Sequence, residues 1–285
     1  MNIEMPGTIG SAKIIFKNQD MKKIGIIGLG FVGAAIHNAY PDLFVDVVNI
    51  DSDPSKGCTG TYADLQDADA VFICVPSPMN EDGSCNITPL TQTLENLKDF
   101  NGVIISNVTA PPTVYKSLQQ QFDNLVHAPE FLTAANANQD YKNGTFSIIG
   151  GSNTTHMKNA AHIIQIGQPN IEHVEYCTIA EASLTKYIIN SFLSTKVIFM
   201  NELAKVAELG GESWDVIRKL ITLDNRIGLS HTQVPGSDGL YGFGGACFPK
   251  DTSSLLNYAK SLDAQLEVLD AAVKKNLLLR LTDRK

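Results

Sequence analysis

The chain has 285 residues, 44% hydrophobic and 18% charged, the balance of a folded, water-soluble protein. Its 22 basic and 30 acidic residues leave a net charge of -8, which argues against a nucleic-acid surface and means that an anionic ligand needs a local positive pocket. No apolar run is long enough to span a bilayer, the N-terminus carries no secretory pattern, and the five cysteines lack C-x-x-C or zinc spacing, so the sequence reads as cytoplasmic, reduced and without a metal site.

Residues 1–20 have little periodicity and read as an N-terminal extension, a flexible arm or one extra strand over Lys13 to Lys17. From Lys23 the pattern becomes regular. Strands are expected at Ile24 to Ile27, Phe44 to Ile50, Ala70 to Val75, Val103 to Ser106, Leu125 to Ala128 and Phe146 to Gly150, with strand-like residues at Glu172 to Tyr176. Between them lie helical patterns at Phe31 to Ala39, Pro89 to Asp99, Thr113 to Phe122 and Thr155 to Gln165. Short buried strands alternating with helices predict a parallel, doubly wound sheet, the Rossmann architecture. Ala180 to Leu209 reads as one helix about 45 Å long at 1.5 Å per residue, ended by Gly210-Gly211. Helices follow at Trp214 to Leu223, Asp251 to Ser261 and Ala264 to Leu281. We therefore expect an α/β dinucleotide-binding domain over 21–178 and a mainly helical domain over 179–285.

Gly28-Leu29-Gly30-Phe31-Val32-Gly33 is a G-x-G-x-x-G between a predicted strand and a predicted helix. The first glycine makes the turn, the second lets backbone approach a pyrophosphate, and the third permits close helix packing. Asp51 ends the second strand, where a carboxylate binds adenine-ribose hydroxyls and repels a 2′-phosphate, so NAD is expected over NADP. Lys186 and Asn190 lie four apart on one helix face, a pair able to hold an oxyanion, although from spacing alone an exposed helical lysine with no special role is the stronger reading. Glu130 follows a strand end, where open α/β sheets place their sites, though a surface turn also accounts for it. Trp214, His127 and Cys74 read as packing residues. Asp64, Asp67 and Asp69 read as a solvated face.

Gly242 to Asp251, GFGGACFPKD, puts Cys247 in a glycine-rich loop just before a helical pattern. Lys250 and the helix N-terminus both favour a thiolate there. A dinucleotide fingerprint joined to such a cysteine points to a dehydrogenase that uses covalent thiol chemistry.

From about Met21 to its C-terminus the chain resembles the UDP-glucose/GDP-mannose dehydrogenase family. The Gly242 to Asp251 loop carries the likeness most specifically. Val75-Pro76-Ser77-Pro78, Pro129-Glu130-Phe131-Leu132, Ala180-Glu181-Ala182 with Lys186 and Asn190, and Asp224-Asn225-Arg226-Ile227-Gly228 follow in family order. The resemblance implies oxidation of a nucleotide-sugar C6 alcohol to the acid, with two NAD reduced and UDP-glucose the expected substrate. It makes Cys247 the nucleophile, Lys186 and Asn190 the oxyanion holders, and Asp251 and Glu130 the groups that manage water and protons. Cofactor contacts are implied for Gly28, Gly30, Phe31, Val32, Gly33, Asp51, Pro76 and Lys250. Substrate contacts are implied for Phe131, Leu132, Gly244 and Arg226, the last reaching a neighbour's site in a homodimer. The sequence departs from the family in a short stretch between Asp51 and Ala70, in Asn107-Val108-Thr109-Ala110-Pro111-Pro112, whose motif threonine is either displaced to Thr109 or lost, in Ala134, and in the expected absence of a third, C-terminal domain. A β-hydroxyacid dehydrogenase, which needs no cysteine, and a non-catalytic binding protein are the competing readings.

Overall fold

The computed structural model describes residues 23–40 and 45–282. The expectations for 1–20 and for a strand start at Phe44 lie outside the described residues. The chain forms two compact units, one comprising residues up to Ser77 with Ile87–Ser183, the other Pro78–Asn86 with Leu184 onward.

The first unit is built on seven strands, β1 Lys23–Ile27, β2 Asp46–Ile50, β3 Ala70–Ile73, β4 Val103–Ser106, β5 Leu125–His127, β6 Phe146–Gly150 and β7 His173–Cys177. Their spatial order is β2-β1-β3-β4-β5-β6-β7. The first five are mutually parallel, with Ile24 beside Val47 and Ala70. A wholly parallel sheet was expected, but β6 joins β5 antiparallel through the single pair His127 and Gly150, and β7 follows β6 in parallel. An apolar run of four or five residues shows that a strand is buried and does not encode its direction.

Side chains alternate across this sheet with the strand period of two. Ile24, Ile26, Phe72 and Ile105 face one layer, which contains α1 (Phe31–His37), α4 (Ala137–Lys142) and α5 (Thr154–Gly167). Ile27, Val71, Ile73 and Ile104 face the other, with α2 (Thr88–Asn96) and α3 (Pro112–Gln119). Each fully buried side chain of this size contributes about 1.5–3 kcal/mol, so both layers are firmly held. The short stretch between Asp51 and Ala70 holds only two 3-10 turns, Pro54–Lys56 and Tyr62–Leu65.

α6 (Ile179–Gly210) begins in the first unit and runs through the second, which also contains α7 (Trp214–Ile221), α8 (Phe248–Ser261) and α9 (Glu267–Thr282). Tyr187 of α6, Leu255 of α8 and Leu269 of α9 form one small core. Ile198, Ala272 and the loop residue Phe243 form another. The segment Pro78–Asn86 is a tight turn closed by a Met79–Cys85 bridge and tied to α8, where Ser253 Oγ donates to Gly83 O at 3.0 Å. Among the described residues no helix is long and apolar enough to cross a membrane, and no group of three His, Cys, Asp or Glu is placed to hold a metal.

Candidate active site

In the first unit the glycine fingerprint links β1 to α1. Gly28 has φ +93°, and a Cβ there would meet the Cys74 carbonyl at 2.7 Å. A Cβ on Gly33 would lie 1.9 Å from Gly28 O, so this glycine is what lets α1 close onto the turn. Gly30 differs, since a Cβ would meet nothing within 4 Å. Packing does not demand a glycine there, whereas close approach of a phosphate would. Gly30 caps α1 without a side-chain hydrogen bond, and no acid occupies the first turn of the helix, so α1 itself carries no carboxylate there to oppose an anion. These features fit a dinucleotide.

Asp51, just after β2, is almost fully buried. One carboxylate oxygen accepts the Leu29 N–H at 2.6 Å and the other the Asp53 N–H at 2.9 Å. Lys56 Nζ stands 3.5 Å away. Burial works against the charge, but the two N–H groups and Lys56 outweigh it and hold the carboxyl below its ordinary value. The sequence reading missed Lys56; a lone lysine five residues after Asp51 carries no periodic signal.

Beyond β5, Glu130 accepts the Leu132 N–H at 2.6 Å. Glu130, Phe131 and Leu132 line a cavity of about 400 Å³ together with Asn107, Asp140, Asn143, Phe146 and Gln168. Phe131 packs on Phe146, ring centroids 5.2 Å apart. Asn107 is fixed by donation to Ala128 O at 2.7 Å, and Thr109 O accepts the Ser77 hydroxyl at 2.8 Å. Val108 is buried. His127 is fully buried, stacked on Tyr115 at 4.2 Å and bonded to Ser106 O, which is a packing role. Pro76 is exposed, and Phe31 and Val32 are partly so.

In the second unit, Lys186 and Asn190 of α6 are 5% and 6% exposed, which excludes the reading of Lys186 as a solvated helix lysine. Asn190 Nδ2 donates to Asp251 Oδ2 at 2.6 Å, and Asp251 is 1% exposed. Lys250 forms an ion pair with the other Asp251 oxygen. Cys247 caps α8, one helical turn before Asp251, whose N–H donates to Cys247 O at 2.8 Å. The helix starts at Phe248, earlier than the expected Asp251, because Pro249 is at home in a first turn. Cys247 is partly exposed. A thiol at a helix N-terminus, a buried carboxylate held by an amide and an ammonium, and a second buried lysine are therefore gathered on two helices of one unit.

Arg226 is not buried as Lys186, Asn190 and Asp251 are; its side chain is 90% exposed and paired with Asp224. Its loop is fastened to α6 by Lys196, whose Nζ donates to Ile227 O at 2.7 Å, Ser230 O at 2.6 Å and Gly228 O at 3.3 Å. Sequence reasoning did not single out Lys196, nor Asn201, Asn276 and Arg280, which hold the glycine loop. Their only signal is a polar residue at a helix position that otherwise faces the core.

Fold and site together define an NAD-binding α/β protein with a helical unit that carries a cysteine. Residues 57–167 match the profile described as the UDP-glucose/GDP-mannose dehydrogenase family, NAD binding domain, and residues 180–277 match that family's central domain. The chain belongs to the UDP-glucose/GDP-mannose dehydrogenase family, and its cofactor is NAD. It is 31% identical to UDP-glucose 6-dehydrogenase TuaD of Bacillus subtilis, over 90% of this chain and 63% of that protein. It is 26% identical to UDP-glucose 6-dehydrogenase AglM of Haloferax volcanii, over 89% of this chain and 69% of that one. The chain thus spans about two thirds of the length of these relatives. In fold it resembles a UDP-glucose dehydrogenase from Pyrobaculum islandicum, with TM-score 0.79 and 22% identity, over 93% of this chain and 70% of the other. It also resembles 3-hydroxyisobutyrate dehydrogenase of Mycobacterium tuberculosis, with TM-score 0.69 and 17% identity, over 89% and 92%.

Proposed function

We propose that the chain oxidises the C6 alcohol of a nucleotide sugar, UDP-glucose before others, to the carboxylate. The observation that carries this reading is Cys247 at the head of α8, one turn from the buried Asp251 that Asn190 and Lys250 hold. The glycines Gly28, Gly30 and Gly33, the flanking Phe31 and Val32, and Asp51, Pro76 and Lys250 would hold NAD, which when bound supplies the hydride acceptor for both oxidations.

The C6 alcohol first gives up a hydride from carbon and its hydroxyl proton, leaving the aldehyde. The Cys247 sulfur then adds to that aldehyde, forming a C–S bond and a thiohemiacetal whose oxygen Lys186 and Asn190 would stabilise. Loss of hydride from that carbon leaves a thioester. Water, with protons managed by Asp251 and Glu130, breaks the C–S bond, releasing the acid and restoring the thiol. By the family resemblance, nucleotide-sugar contacts would fall to Phe131, Leu132 and Gly244, and the exposed Arg226 would reach the substrate of a second copy in a homodimer.

A second reading is favoured by the likeness in fold to 3-hydroxyisobutyrate dehydrogenase, of which this chain covers 92%. Counting NADH per substrate separates the two. Two NADH per UDP-glucose is the expected result; one NADH per small hydroxyacid, with UDP-glucose untouched, would replace this reading with the second. NAD binding without turnover of either would leave a binding protein.

A further inference from the structure

The loop that leads into Cys247 is tied down by three side chains with no assigned part in the chemistry. Asn201 of α6 accepts the Gly242 N–H at 3.0 Å, and Asn276 of α9 accepts the Phe243 N–H at 2.7 Å. Arg280, near the end of α9, does more. Its Nε donates to Phe243 O at 3.1 Å, its Nη2 to Gly242 O at 3.0 Å, and its Nη1 to the Asp238 carboxylate at 2.7 Å. One guanidinium thus joins two successive carbonyls to an acid from an earlier part of the same loop.

A second observation comes from Gly244. A Cβ there would lie 2.9 Å from Arg280 Nη2 and 3.0 Å from Cζ, so the guanidinium occupies the space a side chain would need. The loop backbone is fitted around this group, and Cys247 follows Gly244 by three residues.

We propose that Arg280 is a positioning residue, holding the Gly242–Gly244 backbone so that Cys247 and the start of α8 keep one geometry toward the substrate. This rests on the reading of Cys247 as the nucleophile. Arginine suits the task because its flat fork spreads donors over three acceptors and lies against Gly244; a lysine supplies charge to Asp238 but not that plane.

The test compares Arg280→Met and Arg280→Lys with the parent chain by amide hydrogen exchange, thermal midpoint, NADH binding by fluorescence, and kinetics with UDP-glucose. In Arg280→Met, exchange over 242–247 should quicken and kcat/KM should fall roughly 10- to 100-fold, while NADH affinity stays unchanged. Arg280→Lys should regain most of the lost thermal midpoint without regaining kcat/KM. Recovery of kcat/KM in step with stability would reduce Arg280 to a structural residue and overturn the proposal, as would unchanged exchange in Arg280→Met. Should Arg280→Met fail to fold, Arg280→Lys decides alone. An inactive parent chain would sink the proposed function and the catalytic purpose given to Arg280, a result distinguishable because the exchange experiment still reads whether the loop is held.

Discussion

Position separates Cys247 from Cys58, Cys74 and Cys177. Burial, together with the nearby Glu130 carboxylate, pushes the Cys74 thiol up, and burial raises Cys177 to about 11, so both remain protonated at neutral pH. The Cys58 sulfur is occupied by the backbone of Asp51 and Asp53. Cys247 alone heads a helix beside a lysine-aspartate pair. Cys247→Ser should therefore abolish formation of the acid, checked by chromatography of the product; acid at the parental rate would end the thiol mechanism. His231 invites a different measurement. Burial first, then the charge of Lys196, holds its imidazole below its ordinary value, and its ring packs on Phe248 at 5.4 Å. The folded state thus keeps this ring neutral at a pH where the unfolded chain has begun to take a proton. The stabilisation is complete above about pH 6.5 and declines as the pH falls below it, toward the lower folded value. Urea midpoints at neutral and mildly acid pH should differ less in His231→Asn, since asparagine also tolerates the φ of +61° found there. An equal difference in both proteins would show that another group sets the acid sensitivity.

Helices and loops extend the argument beyond single side chains. Lys196→Met would remove the donor that three carbonyls of the Arg226 loop share; because water can replace it on this largely exposed loop, the stability cost should be only about 0.5–1.5 kcal/mol. If Arg226 serves a nucleotide sugar, the KM for that substrate should rise while NADH affinity, read by fluorescence, stays put. A proportional loss of both would mean that the helix, rather than the loop, had been damaged. Legibility also varied by element. The strands were plain because buried parallel strands are apolar runs, and α6 was plain because 32 residues leave no room for ambiguity. α4 was invisible, since six residues with only Ala137 and Tyr141 buried carry no measurable period. The glycine fingerprint could be read from its spacing together with the strand before it, the helix after it and Asp51 at the end of the next strand. The Asn190–Asp251 bond could not, because two residues 61 apart in sequence reveal contact only once both helices are packed; the resemblance to a family, not periodicity, pointed to Asp251.

At the scale of the molecule, α6 presents an apolar stripe to solvent. Phe192, Phe199 and Val206 follow one another at intervals of seven, flanked by Ile188 and Leu209, and all five are more than half exposed. α7 adds Val216 and Leu220. An exposed apolar stripe of this size is the kind of surface on which a partner docks, and the homodimer proposed above would cover it. Phe192→Asp with Phe199→Asp should turn a dimer into a monomer in light scattering and lower activity through loss of the neighbour's Arg226. A fully active monomer would refute the shared site.

The placement of residues 78–86 within the second unit has a consequence for how the protein comes apart. The polypeptide passes from one unit to the other after Ser77, returns after Asn86 and leaves again after Ser183. The units are therefore stitched by three strands of chain, not hung on a single linker. A protease that nicks once near Ser183 leaves two separate polypeptides, with the turn that Ser253 of α8 grips at Gly83 O carried by the first piece, and a gene cut at that point strips the later half of that turn. Any attempt to obtain the helical unit by itself has to carry that turn along, spliced in from far upstream.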